Sequence, residues 1–269
     1  MNSAHWDQLA PEYDSEVFSV LAHDRRGLIA RAIAQAGGPR RIASDLGCGP
    51  GRFLPLLAAN FRRVYAVDHS APLIDQARHH CRELSNIQYV VADVSQAADL
   101  PAVHCALSVN ALLSPAIDQR RQTLDFYSDH VHPSGTLVLV VPSLESAHLS
   151  RQMLIEWNFR TGATPSEAVE DGFESPSLSE VQLARQGVLD AGGVPTKHYL
   201  REELEAALSG RRFRIQTIEK LEYPWTTEFH SPPPWMQSPL PWDWLLIAQR
   251  RRAVRRSVST SSRSTSRKI

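Results

Sequence analysis

The sequence predicts an α/β protein with a parallel sheet covered by helices on both faces. Short, strongly apolar stretches alternate with helix-length segments over residues 41–141. A glycine-rich turn, Asp45-Leu46-Gly47-Cys48-Gly49-Pro50-Gly51, separates the first such stretch from the first helix that follows it. Acidic residues close the first three stretches at or near their ends, as Asp45, Asp68 and Asp93. Strands buried on both faces read as continuous apolar runs, and alternation with helices implies parallel crossovers.

Before the turn, Val17, Val20, Leu21, Leu28, Ile29 and Ile33 have helical spacing, which Gly37-Gly38-Pro39 ends. Arg41 to Leu46 reads as the first strand. A compact helix is expected over Arg52 to Asn60, with Pro55 in its first turns, where a missing amide proton costs little. Val64–Val67 forms the second strand, Ala71–Leu84 a helix, Ile87–Val91 the third strand and Val103–Val109 the fourth. Asp118–His130 is a helix, and Thr136–Val141 the fifth strand. The rhythm breaks after Pro142. Residues 144–160 read as helical, 161–180 as a Gly, Pro, Ser and Glu-rich stretch, and 181–189 as a short helix. Lys197–Leu208 reads as a helix, Phe213–Glu222 as a strand and Trp242–Gln249 as a last strand. Five prolines within 232–241 rule out a regular element there.

Length and composition suit one domain with insertions. The chain has 269 residues, of which 42% are hydrophobic. Formal net charge is zero, but residues 250–269 hold eight basic side chains and no acid, leaving 1–249 about eight charges negative. An acidic body argues against a stable nucleic-acid partner. The Ser/Arg-rich end reads as a disordered tail making at most weak anionic contacts. Cysteines 48, 81 and 105 have no metal spacing and make no disulfide framework, so a reducing, cytoplasmic setting without a bound metal is expected. No secretory signal and no membrane-length apolar run are seen. The oligomeric state is not legible.

Glycine permits positive φ and close ligand approach, and a helix start offers free amide protons. The spacing Gly-x-Gly-x-Gly differs from the Gly-x-Gly-x-x-Gly of dinucleotide folds. A carboxylate at Asp45 would repel a pyrophosphate and attract a ligand ammonium. Asp68, at the end of the second strand, suits a ribose diol. Asp93 suits the exocyclic amine of adenine, with Val94 beside the ring. The chemistry is that of a nucleoside carrying an amino acid. The bland alternative for each acid is a helix cap.

On these residues the chain resembles class I S-adenosylmethionine-dependent methyltransferases of the broad small-molecule type. Asp45–Gly51 is similar to that family's first motif. Val64–Asp68, with His69 and Ser70 after it, resembles the second-strand acid, and Val91–Val94 the adenine-side motif. Leu107–Leu113, including Asn110, resembles the segment lining the methionine side, and His132–Val141 the turn and strand that follow. Trp6–Asp14 resembles the family's N-terminal lid, whose Tyr13 is expected to reach the cofactor's carboxylate or sulfonium region.

The resemblance implies a seven-stranded Rossmann-like sheet of order 3-2-1-4-5-7-6 with strand 7 antiparallel. It implies a domain over 1–249 with a lid at 1–16 and a substrate-side insertion at 142–196. It also implies S-adenosylmethionine held by Tyr13, Asp45, Gly47, Cys48, Gly49, Gly51, Asp68, His69, Asp93, Val94 and Asn110. The expected activity is methyl transfer to an O, N or C nucleophile of a small molecule. A protein side chain is the alternative acceptor. The readings from other classes are a nicotinamide-dependent oxidoreductase and a non-catalytic cofactor-binding protein. His198 and Tyr199 are the candidate catalytic residues, and Trp157, Phe159, Trp225, Phe229 and Trp235 the candidate walls of an apolar pocket.

Overall fold

The computed structural model describes residues 3–96, 99–169 and 178–252. The expected tail, from residue 253 onward, and residues 170–177 of the insertion lie outside the described residues. Nine strands form among the described residues: β1 (Gly38–Leu46), β2 (Phe61–Asp68), β3 (Ile87–Val91), β4 (Val103–Val109), β5 (Val131–Pro142), β6 (Val188–Ala191), β7 (Val194–Lys197), β8 (Phe213–Glu222) and β9 (Trp242–Arg250). Eleven α-helices accompany them among the described residues: α1 (Ser3–Leu9), α2 (Tyr13–Glu16), α3 (Val20–His23), α4 (Leu28–Ala36), α5 (Leu54–Asn60), α6 (Ala71–His80), α7 (Ile117–His130), α8 (Leu144–Arg160), α9 (Pro165–Val169), α10 (Leu178–Ala184) and α11 (Arg201–Ser209).

Seven strands make one sheet in the order β3-β2-β1-β4-β5-β9-β8. Counted within that sheet this is 3-2-1-4-5-7-6. β1–β5 are parallel, and β9 is antiparallel to both β5 and β8.

The apolar runs become strands because both faces are covered. Val138, Val140 and Leu245 pack on one side with Ile29 and Ile33 of α4, Leu54 and Leu57 of α5, and Ile74 of α6. Leu137, Leu139, Val141 and Leu246 pack on the other with Tyr127 of α7 and Leu204 and Leu208 of α11. Each such aliphatic side chain, fully removed from water, contributes roughly 1.5–3 kcal/mol before entropy is counted. α4 buries Leu28, Ile29, Ala32, Ile33 and Ala36, which share one helical face. Ser70 caps α6, accepting from the Leu73 amide, and Ser143 caps α8, accepting from Ser146.

The insertion differs from the sequence expectation. The short helix is α10, ending at Ala184. Residues 188–197 form a two-stranded hairpin, β6–β7, in place of the end of one helix and the start of the next. Its turn is Gly192-Gly193, with φ of 64° and 85°. Two successive positive φ angles suit a two-residue hairpin turn, and Gly-Gly is a recognised signal for one. α11 therefore starts at Arg201 rather than Lys197. No helix among the described residues is long and apolar enough to cross a membrane.

Candidate active site

Parallel pairing sets the strand ends beside one another. Leu46 registers with Val67, Asp68 with Val91, Asp45 with Leu107, and Val109 with Val140. Asp45, Asp68, Asp93 and Asn110 thus gather along one edge of the sheet, where a cavity of about 580 Å³ opens.

The floor of the cavity is the glycine turn. Gly47, Gly49 and Gly51 have φ of 78°, 53° and 89°, a region that L side chains rarely enter. A Cβ on Gly47 would lie 2.4 Å from that of Ala111. The turn is anchored from below, because the Gly47 and Cys48 amides both donate to the Val67 carbonyl, at 2.8 and 3.0 Å. Asp68 ties it to β2, its carboxylate accepting from the amides of Gly49 and Ser70, each at 2.9 Å.

Two buried carboxylates face this turn. Burial, then the charge of Asp68, pushes Asp45 up to about 8. Burial also raises Asp68, against the pull of the Ser70 and Gly49 amides. Asp45 Oδ2 has no hydrogen-bond partner, nor do His69 Nε2 and Asn110 Oδ1, although all three atoms are buried. Buried polar atoms are ordinarily paired, so this orphaned set fits a polar, cationic ligand. Asp93 is set apart. It accepts from the Ser95 amide and hydroxyl and from Gln96, so it caps the short turn Val94–Gln96. Burial raises its pKa, but these bonds outweigh it and hold the carboxyl below its ordinary value.

The N-terminal segment forms one wall. Asp7 accepts from Ser70 Oγ at 2.6 Å, and the Ala10 carbonyl accepts from Gln76 at 2.8 Å. Arg52, just after the turn, donates to Asp14 through Nε and Nη2 and to the Val17 and Phe18 carbonyls through Nη1. Tyr13 lies over the turn: a Cβ on Gly49 would come within 2.9 Å of its hydroxyl. Burial pushes its pKa up to about 12, so it stays a neutral phenol.

Of the expected cofactor residues, Tyr13, Asp45, Gly47, Cys48, Asp68, His69, Asp93, Val94 and Asn110 line the cavity. Gly49 and Gly51 do not. Gly49 is covered by Tyr13, and Gly51 faces inward, where a Cβ would meet Leu54 and Ala77. Their part is to shape the turn.

His198 and Tyr199 are not among the lining residues. The Tyr199 hydroxyl is spent on the Leu112 carbonyl at 2.9 Å, and His198 Nδ1 pairs with the Thr196 carbonyl at 3.0 Å. The Lys197 amide also donates to Leu113. The Tyr199 and Lys197 bonds fasten this segment to the loop after β4, whereas the His198 bond is local to the end of β7. Burial lowers the His198 pKa and raises that of Tyr199 well above its ordinary value. The five aromatic residues of the insertion and the proline-rich loop also stay away from the cavity. Phe229 packs on Trp157 and Trp225, Arg160 covers Trp235, and Phe159 is exposed.

The far wall was not foreseen as a hairpin. It consists of Ala191, Gly192, Val194 and Thr196, with Leu113, Ser114, Gln119 and Thr123 beside it. Lys197, its side chain only 2% exposed, holds the hairpin by donating to Glu203 of α11 and to the Gln186 carbonyl. The Gly-Gly pair between Ala191 and Val194 was the available signal.

Residues 43–135 match the family model of a methyltransferase domain. No curated protein matches the chain. Solved structures share its fold at low identity. A DhpI complex with SAM and HEP is 15% identical with a TM-score of 0.59, covering 92% of this chain and 94% of that one. The N-methyltransferase NodS from Bradyrhizobium japonicum WM9, solved with S-adenosyl-L-homocysteine, is 13% identical with a TM-score of 0.59, covering 93% and 99%. The 1,6-didemethyltoxoflavin-N1-methyltransferase of Burkholderia thailandensis is 15% identical with a TM-score of 0.58, covering 93% and 88%.

The fold and the site define a Rossmann-like protein with a polar, carboxylate-rich cavity at the ends of its parallel strands. The similarity to a methyltransferase domain spans residues 43–135, the part of that fold that carries the glycine turn, Asp68 and Asp93.

Proposed function

We propose that the protein methylates a small acceptor that is uncharged or cationic. S-adenosylmethionine supplies the methyl group when bound. In this reading Asp45 pairs with its ammonium and Asp68 accepts from its ribose. Asp93 and Val94 border the adenine, and the neutral Tyr13 phenol closes over the methionine end. The lid and the β6–β7 hairpin then exclude water and align the acceptor with the reacting carbon.

One observation carries the acceptor class. Arg52 is the only lysine or arginine among the described lining residues. Its guanidinium is fully engaged by Asp14 and the carbonyls of Val17 and Phe18. Among the described lining residues no free guanidinium or ammonium is left to hold a carboxylate or phosphate. With Asp45, Asp68 and Asp93 given to the donor in this reading, Glu16 is the acid left among the described lining residues, and a carboxylate there disfavours an anionic acceptor. The small-molecule class is supported by a structure of the same fold, a 1,6-didemethyltoxoflavin-N1-methyltransferase solved with 1,6-didemethyltoxoflavin bound. Three free, buried thiols at Cys48, Cys81 and Cys105 suit a reducing compartment such as the cytoplasm.

The test is transfer of tritiated methyl from S-adenosylmethionine to small-molecule extract fractions separated by ion exchange. Label should appear in the fractions that an anion exchanger does not retain. Label confined to the anion-exchange-retained fraction would overturn the acceptor class. Binding of a nicotinamide cofactor in preference to S-adenosylhomocysteine, measured by calorimetry, would overturn the donor.

A further inference from the structure

We infer that Asp243 is a positioning residue for the donor site, acting through Asn110; this rests on the donor reading above. Asn110 ends the fourth strand's excursion to the cavity and lines it, with a left-handed φ of 48°. Its backbone amide is already used, donating to the Val140 carbonyl at 2.9 Å. That leaves the side chain as the part whose orientation must be set by something else.

Asp243 does this from the other end of the chain. It is the second residue of the antiparallel strand β9, opposite Pro142 of β5 and Leu221 of β8. Because β9 runs backwards, its first residues reach the edge where the parallel strands finish. There Asp243 Oδ2 accepts from Asn110 Nδ2 at 3.3 Å and from the Tyr223 hydroxyl at 3.0 Å. A carboxylate offers only acceptors, so it fixes which end of the Asn110 amide faces it. Asn110 Oδ1 is thereby turned away from Asp243, and it is the buried oxygen that has no partner. An amide free to flip would not hold a lone acceptor ready for a ligand N–H.

Tyr223 makes the arrangement rigid. Its ring packs edge-on against Phe18, 4.6 Å between centroids, and Phe18 is itself a cavity wall. The same oxygen therefore anchors the loop after β4 and, through Tyr223, the segment that follows the lid at Phe18. Neither Asp243 nor Tyr223 lines the cavity, so their influence on the donor is indirect.

The experiment is calorimetric titration of S-adenosylhomocysteine into the full chain and its variants. Asp243→Leu should weaken binding by about fivefold or more, and Asn110→Ala by a similar factor. The double variant should be no weaker than the worse single one, because the two residues act as one unit. Asp243→Asn, whose amide oxygen still accepts, should stay within about twofold of the parent. Should Asp243→Leu fail to fold, Tyr223→Phe keeps the ring on Phe18 and deletes only the hydroxyl. It should weaken binding in the parent and have no effect in the Asn110→Ala background. Unchanged affinity in Asp243→Leu, or fully additive losses in the double variant, would overturn the proposal. A merely structural role for Asp243 would lower the melting temperature of the double variant without this non-additivity in affinity. Failure of the parent chain to bind S-adenosylhomocysteine would instead overturn the donor reading.

Discussion

The two halves of the cavity are built by different means. The side proposed for the donor is built, apart from Tyr13 over it, by one stretch, Asp45 to Asn110, in which strand ends and tight turns put each group in place. The opposite side is assembled from three distant segments: the N-terminal lid, the loop and helix after β4, and the β6–β7 hairpin. On the first side, backbone geometry does the positioning, as where the Gly47 and Cys48 amides share one carbonyl. On the second, side chains do it, as where Arg52 ties down the lid and Lys197 the hairpin. A backbone-built site tolerates little change, whereas a side-chain-built wall can be remodelled one residue at a time.

The sharpest way to break that contrast is Gly47→Ala. The added methyl would sit 2.4 Å from the Ala111 Cβ, at a φ of 78°. Strain and overpacking together should cost about 2–4 kcal/mol. Thermal unfolding should shift down by roughly 5–10 °C, with S-adenosylhomocysteine binding lost in calorimetry. A variant that binds normally would show that the turn is not backbone-determined.

An intermediate effect is expected from pH. Asp45 has its carboxyl raised from an ordinary value of 3.8 to about 8, by burial first and Asp68 second. The folded, ligand-free protein therefore holds a proton that the unfolded chain has released. Its stabilising contribution is complete below the unfolded value and is lost as pH rises through about 8. Melting temperature in the absence of ligand should fall between about pH 6 and 8.5, and less steeply in Asp45→Asn. Affinity for S-adenosylhomocysteine, whose ammonium favours the carboxylate, should rise over the same range by up to about tenfold per pH unit below 8. Asp45→Asn should abolish that slope.

The smallest effect on the donor should come from Val194→Trp in the hairpin. S-adenosylhomocysteine affinity should stay within about twofold, while the Michaelis constant for an acceptor identified by the labelling assay rises about tenfold or more. Equal losses on both measures would mean that the two walls are not independent.

The same contrast explains what the sequence revealed. The order of the main sheet and its strand positions were legible because apolar runs and glycine turns are local signals. Tyr13, Asp45, Asp68, Asn110 and their neighbours were legible because each occupies a defined place in a motif. Gly49 and Gly51 were found with them, but as shapers of the turn rather than lining residues. His198 was chosen because a histidine near an insertion suits a base. Nothing local in sequence reveals that its Nδ1 meets Thr196, or that the Tyr199 hydroxyl meets Leu112 across 87 residues. The aromatic residues of 157–235 were similarly ambiguous, since packing and ligand binding use the same side chains. The hairpin was misjudged because Val188–Ala191 is short and helix-compatible, and only the Gly-Gly pair distinguishes it.

The reversed direction of β9 has a practical consequence. The strand starts beside the cavity at Trp242 and Asp243 and ends at Arg250, paired with Phe213 at the far edge. Nine extended residues cover about 30 Å. The chain therefore leaves the sheet on the side away from the cavity. A tag or solid support attached after Arg252 would grip the molecule from behind and present the cavity mouth to solution.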